Sequence, residues 1–165
     1  MALLRPDRYF TRVSLIDPQA DLLDRGIRFV LLDMDNTLLP RDTHEVPSDI
    51  LAWLADLSKC GVGALILSNN WHESPFEWGR RLGLPVVAKA CKPLPIAYGR
   101  ALRTLGATRA ETVCIGDQLM TDIWGGHFAG FASYLVDPLT TVDLKHTLVL
   151  RKLERKIIGG MPPEK

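Results

Sequence analysis

The apolar run Phe29-Val30-Leu31-Leu32 ends abruptly in Asp33-Met34-Asp35-Asn36-Thr37-Leu38. Its hydrophobicity is continuous rather than alternating, the pattern of a strand buried on both faces of a parallel sheet. Two carboxylates one residue apart at the end of such a strand repel each other and resist desolvation. They are tolerable only if a cation lies between them or if they divide a chemical task. The carboxyl ends of the strands are also where open α/β sheets place their ligands. A second apolar run, 112–115, leads into Gly116-Asp117, with Asp122 close behind. Acidic groups at two strand ends point to a divalent cation bound through oxygen, with one carboxylate placed to attack.

The remaining segments supply the crossovers that a parallel sheet needs. Residues 1–16 mix basic, aromatic and apolar side chains without a period and form a lead-in on the domain edge. Asp17-Pro18 is a helix start, with a capping carboxylate and proline at the first helical position, and Gly26 ends it. A helix is predicted over 47–59 with Ile50, Trp53, Leu54 and Leu57 as its buried stripe. Strand 63–67 ends at Ser68-Asn69-Asn70, helix 74–82 closes at Gly83, and 85–88 is a brief strand. Lys92-Pro93 opens a helix that runs to Leu105. Strand 112–115, helix 118–129 and strand 132–136 follow. Residues 143–158 form an amphipathic helix, and 159–163 are a frayed tail. Strands alternating with helices predict one α/β domain over 1–165, a parallel sheet covered on both faces with right-handed crossovers. Neither 33–68 nor 68–92 is long enough to hold a cap domain.

Every polar group singled out falls after a strand, so all converge on one sheet edge. Asp33, held by sheet hydrogen bonds, is the candidate nucleophile for attack on phosphorus. Asp35 reaches the other side of the transferring group, to protonate the leaving oxygen and then deprotonate water. Asp117 supplies a metal carboxylate, and Asp122 supports the metal shell or orients Lys92. Ser68 and Asn69, with the amides of their turn, hold phosphate oxygens, and Lys92 neutralises them from a helix start. Asn36 and Thr37 brace the loop through side-chain-to-backbone bonds. Mg2+ bridging nucleophile and phosphate completes the electrostatics.

Asp33-Met34-Asp35-Asn36-Thr37-Leu38, Ser68, Lys92 and Gly116-Asp117 through Asp122 resemble, in order, the four motifs of the haloacid dehalogenase-like (HAD) hydrolases. The resemblance implies a three-layer Rossmann-like fold with five parallel strands in the order 3-2-1-4-5 and no cap. It further implies that Asp33, Asp117 and the backbone carbonyl of Asp35 ligate the metal, and that the aspartate at 35 marks a phosphatase. More finely, the motifs are similar to the YqeG-like branch of the capless class IIIA phosphatases, itself similar to organellar phosphatidylglycerophosphate phosphatases. That implies a lipid headgroup as the phosphorylated substrate.

Composition narrows the partners. A formal net charge of +1 in 165 residues gives no reason to expect a stable nucleic-acid partner. No stretch is apolar enough to span a membrane, and the start lacks the apolar core of a signal peptide. Three scattered cysteines suit a reducing compartment. The expected setting is cytoplasmic, with peripheral contact at the inner, anionic face of the membrane. The basic, apolar-striped segment 143–158 could either pack on the sheet or lie on that surface. Trp71, Phe76 and Trp78 could anchor a short helix or touch the substrate or a lipid interface. Rival readings keep the chemistry on a nucleotide, nucleic-acid end or phosphoprotein, or retain the fold as a non-catalytic phosphate- or metal-binding module.

Overall fold

In the computed structural model, which describes residues 2–140 and 158–165, Val30 and Leu32 enter one apolar cluster while Leu31 enters another on the opposite face. Complete burial of all three on alternating sides is what a continuous apolar run dictates. Each such side chain contributes about 1.5–3 kcal/mol. Six strands form the sheet: β1 (Arg8–Phe10), β2 (Phe29–Leu32), β3 (Gly63–Leu67), β4 (Val86–Val87), β5 (Thr112–Gly116) and β6 (Ala132–Val136). Their order is β1-β6-β5-β2-β3-β4, and every pairing is parallel.

Helix α1 (Ser48–Lys59) packs Ile50, Trp53 and Leu57 against Val30, Leu32 and Ile66. Trp78 and Leu82 of α2 (Ser74–Leu82) join the same cluster. On the other face, α3 (Ile96–Leu105) sets Ala97, Tyr98 and Ala101 against Leu31, Leu65 and Leu67. Ala129 and Phe131, just beyond α4 (Trp124–Phe128), complete that layer. Asp17 caps the turn that follows it, accepting from the amides of Gln19 (2.9 Å) and Ala20 (2.8 Å).

Several expectations need correction. Without β1, the strand order is the expected 3-2-1-4-5, but the sheet has a sixth strand drawn from the lead-in. Arg-Tyr-Phe is too short to show a period, and Arg8 is buried only because Asp21 (2.7 Å) and Glu164 meet its guanidinium. Beyond the tail expected over 159–163, the last two residues are held in place. The Glu164 amide donates to Tyr9 and the Thr11 amide to Lys165, both at 2.8 Å, so these residues cover the outer edge of β1. Helix α3 starts at Ile96, four residues after Lys92. The expected helix 118–129 opens as a widened π-type turn, Leu119–Ile123, before α4. The helix expected over 143–158 lies outside the described residues, Ile158 apart. No helix among the described residues is long and apolar enough to cross a membrane.

Candidate active site

The sheet register brings the strand ends level. Leu32 pairs with Ile115 on one side and Ile66 on the other. The Asp33 amide extends the ladder by donating to the Ile115 carbonyl at 2.9 Å. Ser68 is likewise tied to the neighbouring strand, its amide bound to the Val87 carbonyl at 3.0 Å. Asp33, Ser68, Lys92, Asp117 and Asp122 are all buried at this one edge.

At the centre, Lys92 Nζ lies 2.7 Å from Asp33 Oδ1 and 2.6 Å from Asp122 Oδ1. Burial opposes the ammonium charge, but Asp122 and Asp33 outweigh it and raise the lysine pKa above its ordinary value. Burial is also the main influence on Asp122 and pushes its pKa up; Lys92 opposes that shift and Asp33 adds to it. Each oxygen of Asp122 has a partner, Oδ1 taking Lys92 and Oδ2 accepting the Gln118 amide at 3.1 Å. The π-type turn carries the Asp122 carboxylate over Gly116, where a Cβ would collide with it. Glycine at 116 is thus required by a close approach.

Lys92 owes its place to Asn69. The Lys92 amide donates to Asn69 Oδ1 at 2.7 Å, and Asn69 Nδ2 donates to the Lys92 carbonyl at 3.0 Å. The Asn69 carboxamide thus clamps the lysine loop. The expectation that Lys92 sits at a helix start fails, because α3 begins four residues later; two carboxylates balance its charge in the loop.

Asp35 stands apart, at the mouth. Its carboxylate lies 3.3 Å from an Arg41 guanidinium nitrogen, with the two side chains 18% and 24% exposed. Burial, and secondarily the Asp33 charge, raise its pKa; Arg41 and Lys92 oppose this. Asn36 adopts φ 61°, in the left-handed region that asparagine tolerates, and its Oδ1 accepts the Arg41 amide at 3.2 Å. Buried Thr37 makes a long 3.4 Å contact from Oγ1 to Asp117 Oδ1. Ser68 Oγ accepts the Asn70 amide at 3.0 Å, shaping the turn after β3. Arg41 carried no signal in the sequence, since a polar linker gives no hint of which cation meets Asp35.

Carboxylate oxygens of Asp33, Asp117 and Asp122 lie within 4.8 Å of one another, a hard-oxygen set suited to a divalent cation. Asp33 and Asp122 also share Lys92, so the ammonium and a cation would neutralise the same acidic cluster.

A relative spanning nearly the whole chain defines the class: this chain belongs to the HAD-like hydrolases. That relative is Probable phosphatase YqeG of Bacillus subtilis (strain 168), 31% identical over 156 residues, or 94% of this chain and 90% of that protein. Residues 90–143 match the HAD-hydrolase-like family. Among solved structures, an uncharacterized Listeria monocytogenes serotype 4b protein aligns with TM-score 0.56 at 19% identity, over 76% of this chain and 99% of its own. The cobalt-bound deoxy-D-mannose-octulosonate 8-phosphate phosphatase of Haemophilus influenzae aligns with TM-score 0.55 at 14% identity, over 82% and 89%. At such identities these two likenesses concern the fold alone.

Proposed function

We propose that this HAD-family phosphatase is a Mg2+-dependent phosphomonoesterase that acts through an aspartyl phosphate on phosphatidylglycerophosphate or another bulky lipid phosphate, at the cytoplasmic face of the membrane. The observation that carries the chemistry is the buried Asp33–Lys92–Asp122 bridge beside Asp117. It supports an anion-receiving site in which Asp33 is held in one orientation. The Bacillus relative, a phosphatase by name, agrees in reaction class.

A carboxylate oxygen of Asp33 forms the new P–O bond as the bond to the leaving oxygen breaks. Asp35, whose raised pKa favours the protonated form, gives that oxygen its proton. Asp35 then takes a proton from the water that attacks phosphorus, and the aspartyl P–O bond breaks to free Asp33. Lys92, the Ser68 hydroxyl and the Asn69 amide receive the phosphoryl oxygens. Asp33, Asp117 and the Asp35 carbonyl would hold Mg2+, which supplies positive charge against the phosphoryl group when bound.

Lipid is favoured over smaller esters because, among the described residues, no cap domain covers the site. The segment between Asp33 and α1 is a loop, and that between Ser68 and β4 holds only α2. An open site does not close around a small substrate to exclude water. The test is phosphate release with and without Mg2+ on phosphatidylglycerophosphate in mixed micelles, sugar phosphates, nucleotides, phosphopeptides and an aromatic phosphate. Asp33→Asn serves as the control. Lipid turnover that exceeds the rest and vanishes in Asp33→Asn is expected. Preference for a soluble ester overturns the substrate, and no release from any monoester overturns the enzyme.

A further inference from the structure

We infer that Trp71, Leu94, Ile96 and Met120 form an apolar rim that inserts into an anionic bilayer and seats the site on it; this rests on the lipid reading above. Among the described residues nine large apolar side chains are exposed, and four of them follow within four residues of Ser68, Lys92 or Asp117. Trp71 is 65% exposed, Leu94 55%, Ile96 74% and Met120 36%. Trp71 lies three residues beyond Ser68, Leu94 and Ile96 two and four beyond Lys92, and Met120 three beyond Asp117, so all four leave the chain next to the site.

The loops are tied together. Asn69 clamps Lys92, Lys89 donates its amide to Asn70 at 3.3 Å, and the Tyr98 hydroxyl donates to the Thr121 carbonyl at 2.8 Å. The apolar groups are therefore exposed tips on segments braced against one another. Exposed apolar clusters of this kind mark contact surfaces. Tips, unlike a groove, suit a deformable hydrocarbon phase.

Charge selects the anionic surface. Lys89 is exposed, with Nζ 5.7 Å from the centre of the Trp71 ring. An indole carrying an ammonium matches the headgroup level of a bilayer, where tryptophan is enriched and lysine meets lipid phosphate. Exposed Arg100, one turn beyond Ile96 on α3, adds a second cation beside the rim. The aromatic group expected near this edge divides accordingly: Trp78 packs on the core, whereas Trp71 faces out.

The experiment floats the full chain, as Asp33→Asn to prevent turnover, with vesicles of phosphatidylcholine alone or mixed with phosphatidylglycerol. It is compared with the same protein carrying Trp71→Ser, Leu94→Ser and Ile96→Ser, and separately Lys89→Gln. The rim substitutions are expected to lower partitioning onto mixed vesicles about ten-fold or more, and Lys89→Gln less. In the otherwise wild-type enzyme, hydrolysis of a soluble aromatic phosphate stays unchanged. No binding by the parent, equal binding by the rim variant, or equal loss of soluble turnover overturns the inference. So does a parent that self-associates through these residues without binding vesicles. Rim-dependent binding without lipid hydrolysis upholds the membrane seat and overturns the lipid-phosphatase reading instead.

Discussion

The Asn69 side-chain carboxamide grips the backbone of Lys92, with one hydrogen bond in each direction across 23 residues of sequence. The pair sets where the lysine leaves its loop, and so where Nζ meets Asp33 and Asp122. Asn69→Ala removes both bonds, each worth about 0.5–1.5 kcal/mol and more if a buried partner is left bare. Steady-state kinetics on any accepted phosphate ester should show kcat/KM down roughly ten-fold or more, with weaker inhibition by inorganic phosphate.

Asp122→Ala leaves Lys92 buried with one carboxylate instead of two. Breaking a buried ion pair from one side costs about 3–5 kcal/mol. Denaturant unfolding of the metal-free protein should register that loss, and adding Lys92→Met should recover part of it.

Gly116→Ala places a methyl group where the Asp122 carboxylate lies. Overpacking of this kind costs about 1–3 kcal/mol. Because the clash pushes on the partner of Lys92, kcat/KM is expected to fall as well, while a substitution such as Gly61→Asn, in a left-handed turn remote from the site, should leave it unchanged.

Asp35 has its pKa raised in the folded protein, so the fold favours its neutral form. Its contribution to stability is greatest below the ordinary carboxylate pKa and is lost as pH rises through the folded value. Asp35→Asn should therefore be more stable than the parent near neutral pH without metal, the difference closing as pH falls below the usual carboxylate range. Turnover should drop by about 10²–10⁴-fold. Thermal melts across pH and rate measurements check the two halves separately.

Chelation should stop turnover without unfolding the chain, because Lys92 already neutralises part of the acidic cluster. Restoring a divalent cation at a hundred times its Kd should stabilise the protein by about 2.7 kcal/mol. Asp117→Asn should abolish most of that gain in a calorimetric titration.

The boundaries of β3, α2 and β6 were legible because apolar runs there end at glycine, serine or aspartate, where backbone conformation and solvation change abruptly. The nucleophile candidate was legible for the same reason: an acid at the end of a buried strand has no structural excuse. The start of α3 was not, since Lys92-Pro93 has the local form of a helix opening. Its loop conformation depends on Asn69 instead, a residue in another segment.

What the sequence determined by itself is the alternation of strand and helix, and hence one edge on which Asp33, Ser68, Lys92 and Asp117 had to meet. These follow from local hydrophobic periodicity. Tertiary structure alone decided which carboxylates answer the lysine, that Arg41 faces Asp35, that Arg8 could be buried in a sixth strand, and that Leu94 and Ile96 remain in water. Each depends on groups far apart in the chain reaching hydrogen-bond distance, or failing to find an apolar neighbour, and no local pattern encodes that distance.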